Sequence, residues 1–366
     1  MIGRTFQCFA FFVVLLFLNS RANAQNVAVF YPKANIQQDF LCMTEAVFKT
    51  AASNGVGLSW TVFDTENDTS GVVRAAAALK NGKFTHILGT RTSQEAIVLA
   101  KIAENLKIPF IAPIASHPEV TKEKKYSIRM VSTSARYGRL MREFLQQRFV
   151  NEKVAILKNT SLPFSTFYAD FMSKSSSQRS NVTQTRTFET FDGFKDYDTV
   201  AQQIVRDGFK VVYAPVYTVE AVSLYNALGK AGFSGSVVSQ GGITDGKEFF
   251  EKGASENDRV KVLYNGIWSG NLEGPMAQEY VSLKKKYCPG QPDSIRSISA
   301  FDSAKFLLDV TMEPKLLPEE FVRGAKKKTF AGLMGALIWG ADGEPVRPLH
   351  MFELQKVGAK YVGAFE

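Results

Sequence analysis

The sequence predicts an α/β fold on parallel sheets, and three observations carry that prediction. Short apolar strands alternate with amphipathic helices along most of the 366 residues. The alternation restarts after Ser127–Val131, as though a second unit begins there. Small, hydroxyl-rich loops follow the ends of several strands, as at Gly89–Ser93 and Pro113–Ser116. A helix between successive strands returns the chain to the same sheet edge, which gives parallel strands covered on both faces.

The first strand, Val27–Tyr31, ends at Pro32, and an amphipathic helix follows over Asp39–Ala52 until Asn54 and Gly55 make a turn. Leu58–Phe63 is a strand, Gly71–Leu79 a helix, Thr85–Leu88 a strand, Gln94–Asn105 a helix and Pro109–Ile111 a strand. Beyond Ser127–Val131 come helix Ala135–Phe149, strand Val154–Leu157, helix Phe164–Met172 and strand Thr185–Thr190. Helix Thr199–Asp207, strand Val211–Ala214, helix Val219–Ala231 and strands Ser236–Val238 and Val262–Tyr264 continue the pattern. Helices Gly274–Tyr287 and Ser299–Val310 follow. No Gly/Ser-rich or Pro-rich linker divides the halves, so the chain is expected to cross between them in ordered segments.

Residues 1–24 read as a secretory signal: Arg4 in a charged start, an apolar run from Phe9 to Leu18, and Ala22-Asn23-Ala24 as a small-residue cleavage site. Cleavage after Ala24 leaves 342 residues, enough for two cores, in the periplasm. No later stretch has the roughly 20 apolar residues of a membrane span. Without Arg4 and Arg21 the net charge is +7, concentrated at Lys122–Lys125, Lys284–Lys286 and Lys326–Lys328. Solvated helix ends and turns account for such runs, and nucleic-acid binding would need exposed aromatics interleaved with them. Cys42 and Cys288 lack paired spacing; one bridge between them remains open, but the favoured expectation is two buried or unpaired thiols.

The segment His86–Ser116 carries the functional signal. The loop Gly89-Thr90-Arg91-Thr92-Ser93 opens a helix, so unpaired backbone N–H groups and the positive end of the helix dipole meet at a strand end. The loop Pro113-Ile114-Ala115-Ser116 follows the neighbouring strand and is expected beside it, in the crevice outside the strand ends. A carboxylate is the natural guest. Thr92 with Glu95, and Ser116 with Glu119, also satisfy the capping-box spacing, a structural role compatible with binding.

Taken together, the mature chain resembles the type I periplasmic binding proteins, of the branched-chain amino acid and amide group that feeds ATP-binding-cassette (ABC) importers. The resemblance rests on Phe63–Gly89, with Asp64 after the second strand and Gly89 after the third, and on Phe330, Gly332, Gly335, Trp339, Asp342 and Gly343 before a terminal strand Leu349–Leu354. It covers essentially all of Val27–Val362. It implies two Rossmann-like lobes joined by three crossovers near Val131, Gly266 and Gly340, with residues 25–131 and 266–340 in the first lobe and 132–265 and 341–366 in the second. It also implies a monomer that captures a small molecule and delivers it to an ABC permease in the inner membrane, with no cofactor, metal or nucleic acid.

Residue by residue, Thr92 and Ser93 match the position that grips a ligand carboxylate. Ile114, Ala115 and Ser116 match the second contact, which receives the amino end. Phe164 and Tyr217 match second-lobe aromatics. Arg91 could pair with a second acidic group, or lie flat on the outer surface. His117 is expected at the rim. The departures bear on the ligand: the stretch Ser239-Gln240-Gly241-Gly242, whose Gly241 is counted among the ligand-binding residues, holds no acid where relatives place one against an α-ammonium. A buried ammonium without a counter-charge is costly, so an ordinary amino acid requires Asp245 or Glu220 as substitute. Asn35 stands where some relatives carry an aromatic, and Leu162-Pro163-Phe164-Ser165 replaces a more usual Tyr-Gly pair.

No GxSxG, HExxH, phosphate loop or GxGxxG after the first strand is present, and three histidines are few for a catalytic triad. The expected function is extracytoplasmic solute binding for import, of an amino acid, amide or carboxylic acid, with a slight leaning to acids. Signalling to a membrane receptor is the alternative, and a secreted hydrolase a distant one.

Overall fold

The computed structural model describes residues 25–33, 38–175, 185–240, 243, 246–311, 317–356 and 358–366. The signal segment and its cleavage site, Asn35, Gly241 and Asp245 lie outside the described residues.

One sheet holds β1 (Gln25–Phe30), β2 (Leu58–Phe63), β3 (His86–Gly89), β4 (Phe110–Ala112) and β5 (Ser127–Arg129), all parallel in the order β2-β1-β3-β4-β5. Both faces are covered, which is why its strands are continuously apolar rather than alternating. Helices α1 (Gln38–Ser53), α9 (Gly274–Tyr287) and α10 (Ile295–Thr311) cover one face, where Phe40, Phe48, Tyr280, Phe301 and Phe306 are fully buried. Helices α2 (Thr69–Ala76) and α3 (Ser93–Leu106) cover the other through Val72, Ala96, Leu99 and Ala103.

The second sheet repeats the plan with β6 (Val154–Asn159), β7 (Thr185–Thr190), β8 (Val211–Ala214), β9 (Gly235–Ser239) and β10 (Val260–Gly266), parallel in the order β7-β6-β8-β9-β10. Two antiparallel strands, β14 (Leu349–Leu354) and β15 (Ala359–Phe365), extend it beyond β10. Helices α4 (Ser134–Arg148) and α5 (Pro163–Ser175) pack on one face, and α6 (Tyr197–Arg206) and α7 (Thr218–Lys230) on the other. Helices α8 (Gly246–Glu251) and α11 (Pro318–Ala325), a small antiparallel sheet of β11 (Phe330–Gly332), β12 (Gly335–Trp339) and β13 (Pro345–Val346), and β15 were not anticipated. They are too short, or too polar in pattern, for periodicity to register.

Three segments, residues 130–133, 267–273 and 347–348, carry the chain between the layers of the two sheets. Ser132 Oγ accepts the Arg347 N–H at 2.8 Å and donates to the Pro345 carbonyl at 2.9 Å, tying the first segment to the third. The buried Arg347 guanidinium donates through Nε to the Met130 carbonyl and through Nη1 to the Met334 and Gly335 carbonyls.

The expectation of unpaired thiols is corrected: Cys42 and Cys288 form a disulfide across 246 residues of sequence. Cys42 lies on α1 and Cys288 directly after α9, and packing of these helices on one sheet face brings the Cα atoms to 5.8 Å, within disulfide reach. Sequence separation hid a neighbourhood created by tertiary packing. Among the described residues, no helix is long and apolar enough to cross a membrane.

Two buried titratable groups work in opposite directions. Burial under Phe321 depresses His86 to about 4, so its neutral form is native at pH 7. Burial raises Asp302 to about 6, although the N–H groups of Leu333 and Met334 donate to its carboxylate.

Replacing Cys42 and Cys288 together by serine should lower unfolding stability by about 2–4 kcal/mol in chemical denaturation. A thiol titration should find no free sulfhydryl in the mature wild type. For the pH dependence, the unfolded chain binds more protons at His86 between about pH 4 and 6.5, so this residue makes stability rise with pH there. Asp302 binds its proton more tightly when folded, so stability falls as pH rises from about 3.8 to 6. His86→Asn should leave the Asp302 slope unopposed, and denaturation midpoints across pH 4–6 should then decline with pH relative to wild type.

Candidate ligand-binding site

In each sheet the strand order reverses between the first and third strands, and crevices of open α/β sheets lie at that switch point beyond the strand carboxyl ends. At the first switch point stand Tyr31, immediately after β1, and the loop between β3 and α3. The chain there must be glycine at position 89: φ is +145°, and a Cβ would lie 2.1 Å from the Phe30 carbonyl oxygen. This close approach sets Thr90–Ser93 at the crevice.

Thr92 is the N-cap of α3 in a reciprocal capping box. Its N–H and hydroxyl both donate to Glu95 Oε2 at 2.9 Å, and Glu95 N–H donates to Thr92 Oγ1 at 3.3 Å. Glu95 is fully buried, and its other oxygen accepts from the Thr65 hydroxyl at 2.6 Å. Thr92 is thus largely committed to the helix terminus. Ser93, half-buried in the first turn, makes no side-chain hydrogen bond among the described residues.

Arg91 is half-buried rather than flattened on the outside, with Nη1 donating to Asn67 Oδ1 at 2.8 Å. Its charge reaches both sheets' loops. Burial raises the Tyr31 hydroxyl well above its ordinary range, Asp39 adds to that, and Arg296 and Arg91 pull it back. Tyr217, before α7 at the other sheet's switch point, is pushed by burial up to about 12, again with Arg91 pulling it down. One guanidinium therefore acts on a phenol from each side.

Phe164, in the first turn of α5, lies with its ring centroid 4.7 Å from that of Tyr217. Next to them, Glu220 accepts from the Tyr217 N–H at 2.9 Å and from Asn159 Nδ2, whose amide also donates to Asp192 at 3.2 Å. Burial raises the Glu220 carboxyl above its ordinary range. The acid named as a substitute counter-charge is present, but both of its oxygens are engaged.

The second loop is used differently from expectation. Ser116 accepts the Ser134 N–H at its carbonyl, 2.7 Å, and its hydroxyl lies 3.0 Å from Ser134 Oγ. Both hydroxyls also bond to the buried Tyr168 phenol of α5. Glu119 does not cap through Ser116: its N–H donates to His117 Nδ1 at 3.3 Å, making His117 the cap of the short 3-10 turn at Pro118–Val120. The His117 ring is half-buried against Phe167, centroids 5.8 Å apart. Ala115 is buried and its carbonyl faces Arg129 Nη1 at 3.4 Å, while Ile114 stays half-exposed. This loop joins the two layers more than it presents groups to a ligand.

Three features escaped the sequence reading. Tyr31 is fully buried, stacked on Phe40 with centroids 4.0 Å apart, and its hydroxyl has no hydrogen-bond partner among the described residues. Its place after the first strand was a usable signal, masked by its apolar neighbours. Gln240, at the end of β9, accepts from the Tyr213 hydroxyl, and its Nε2 is buried without a partner among the described residues. Buried Arg129 pairs with Glu344 at 2.9 Å and donates to the His117 and Pro118 carbonyls at 2.9 and 3.1 Å, shaping the second loop. No spacing rule identifies such an arginine. Among the described residues, no group of three His, Cys, Asp or Glu side chains could hold a metal ion.

Two open parallel sheets of identical strand order, crossed three times by the chain and meeting at their switch points, define the type I periplasmic binding protein architecture. The chain belongs to the periplasmic binding protein family, whose model matches residues 32–359. Its structure is similar to a leucine-binding protein from Thermotoga maritima, at 19% identity and a TM-score of 0.79 over 93% of this chain and 99% of that one. It is equally similar to a branched-chain amino acid transporter substrate-binding protein from Streptococcus pneumoniae in complex with isoleucine, at 16% identity, TM-score 0.79, 93% and 99%. A solute-binding protein from R. palustris in complex with 4-hydroxybenzoate shares 17% identity at TM-score 0.78, over 94% and 97%. At these identities the likeness establishes the fold. No curated protein matches the sequence.

The different engagement of Thr92 and Ser93 separates structure from binding. Thr92→Ala should cost about 1 kcal/mol of stability through loss of the cap. Ser93→Ala should change stability by less than about 0.5 kcal/mol, and thermal melts of the two variants check the contrast.

Proposed function

We propose that the protein is the solute-binding component of an ABC importer and that its cleft takes a small organic acid with an aromatic or branched apolar body. The observation that carries this reading is Arg91, a half-buried cation on the loop that opens α3, two residues before the free Ser93 hydroxyl, whose charge pulls both the Tyr31 and the Tyr217 phenols down against burial. A carboxylate there gains charge-assisted hydrogen bonds, while Phe164 and Tyr217 offer a face to its apolar body. The absence of an acid at Ser239 and Gln240 and the engagement of Glu220 disfavour a free α-ammonium. Relatives of this fold solved with benzoate and 4-hydroxybenzoate are consistent with the class.

On this reading the lobes are those expected from the sequence with the third crossover moved from near Gly340 to residues 347–348, so that 25–131 and 266–346 form one lobe and 132–265 and 347–366 the other; the protein acts outside the cytoplasm as a monomer, and closure on solute presents it to the permease. The Cys42–Cys288 disulfide suits an oxidising compartment. Ligand-binding residues are Arg91, Ser93 and the Thr92 backbone on one side and Phe164 and Tyr217 on the other, with Ile114, Ala115 and Ser116 shaping the wall; Gly241 remains a ligand-binding expectation from the sequence alone.

Calorimetric titration of unfolded and refolded mature protein with benzoate, 4-hydroxybenzoate, leucine, isoleucine and a short amide tests the reading. An aryl carboxylate should bind, and Arg91→Ala should weaken it about ten- to a hundredfold, the worth of a charged hydrogen bond. Tight leucine binding with no response to the benzoates would overturn the preference for acids.

A further inference from the structure

The interlobe crevice is not the only place where a small molecule fits. A cavity of about 620 Å³ lies on the crossing segments themselves and shares no residue with the candidate ligand site. Its volume is that of an ordinary ligand pocket. Pro275, Met276 and Leu333 wall it on the side of the first sheet, and Arg136 and His350 on the side of the second. Ser269, Val346 and Pro348 belong to or adjoin the crossing segments.

Its charges are arranged by depth. Arg136 is half-buried in the first turn of α4, with no ion pair among the described residues and a single long contact of 3.5 Å from Nε to the Arg347 carbonyl. Arg347 is 1% exposed, lies in the cavity wall, and its Nη2 has no hydrogen-bond acceptor among the described residues. The acidic residues of the lining, Glu273 and Glu366, are exposed. Between them runs an apolar wall of Met276, Leu333, Met334 and Val346. A buried arginine with unsatisfied N–H groups is costly unless an acceptor arrives.

We propose that this cavity is a second binding site, for an amphipathic monocarboxylate whose carboxylate meets Arg136 near Arg347 and whose chain lies along the Met276–Leu333 wall. Because its walls come from both layers and from the segments that join them, the cavity changes shape when the lobes rotate. Its occupant therefore binds one lobe arrangement better than the other and is coupled to solute binding in the cleft. The proposal does not depend on what the cleft binds.

The test uses octanoate as the probe and mature protein carrying Arg91→Ala, which removes the cleft's cation. Calorimetry should show one equivalent of octanoate bound to this variant, and adding Arg136→Met should weaken it tenfold or more while the melting temperature without octanoate stays within a few degrees. Met276→Trp, which fills the cavity from the other wall, should reduce binding similarly and keeps the test decisive if Arg136→Met fails to fold. No binding to the Arg91→Ala protein, or binding indifferent to both cavity substitutions, would overturn the proposal. Failure of the cleft reading looks different: benzoate affinity would then be insensitive to Arg91→Ala in otherwise wild-type protein.

Discussion

Three passages of chain between two sheets create a polar problem that the rest of the molecule depends on. Backbone leaving a strand loses its ladder partners, and where it is buried, as at Met130–Ser132, its carbonyls and N–H groups need other partners. Two arginines meet part of this need at the junction and in the loops beside it. Arg347 donates to the Met130, Met334 and Gly335 carbonyls, and Arg129 to those of His117 and Pro118. Burying a guanidinium is expensive; Arg129 has Glu344 as a counter-charge, while Arg347 meets acceptors through Nε and Nη1 only. Ser132 completes the junction by joining two of the passages directly. What results is a hydrogen-bonded seam between two separately packed cores.

The placement of the crevice follows from that seam. Each sheet repeats the same strand order, so each has its switch point between the first and third strands, and the passages bring the two together. Tyr31 and the Gly89–Ser93 loop then stand opposite Phe164 and Tyr217. The influence of Arg91 on a phenol from each side is the electrostatic trace of this approach. On the proposed reading, the cation and free hydroxyl come from one half and the Phe164–Tyr217 face from the other, so recognition would draw on both.

Much of this was legible in the sequence, and the limits have physical causes. The strands Leu58–Phe63, Thr185–Thr190, Val211–Ala214 and Leu349–Leu354 and the helix Gly274–Tyr287 have the bounds that their patterns indicate. Burial on two faces leaves a continuous apolar run, and caps punctuate the helices. Thr92 with Glu95 was legible for the same local reason. The Ser116 cap with Glu119 did not form, because His117 caps that turn and the Ser116 hydroxyl pairs in the tertiary structure with Ser134 and Tyr168. Cys42 with Cys288 was hidden likewise, since the sheet, and not spacing, brings two helices together. The junction arginines escaped notice because local sequence does not distinguish an arginine buried among carbonyls from one in solvent.

Glu95 and Glu220 show how the crevice can favour an anion while containing carboxylates. Each lies in the first turn of a helix, and both of its oxygens are hydrogen-bonded, to Thr92 and Thr65 in one case and to Tyr217 and Asn159 in the other. Their charge is directed into helix N-termini, where the backbone dipoles oppose it. Arg91 makes only a neutral hydrogen bond, to Asn67, and its charge has no carboxylate partner among the described residues. On the proposed reading, Arg91 is the charge among the described residues that an acidic solute would compensate. Recognition of an acid would follow from how the helices are capped as much as from the residues that touch it.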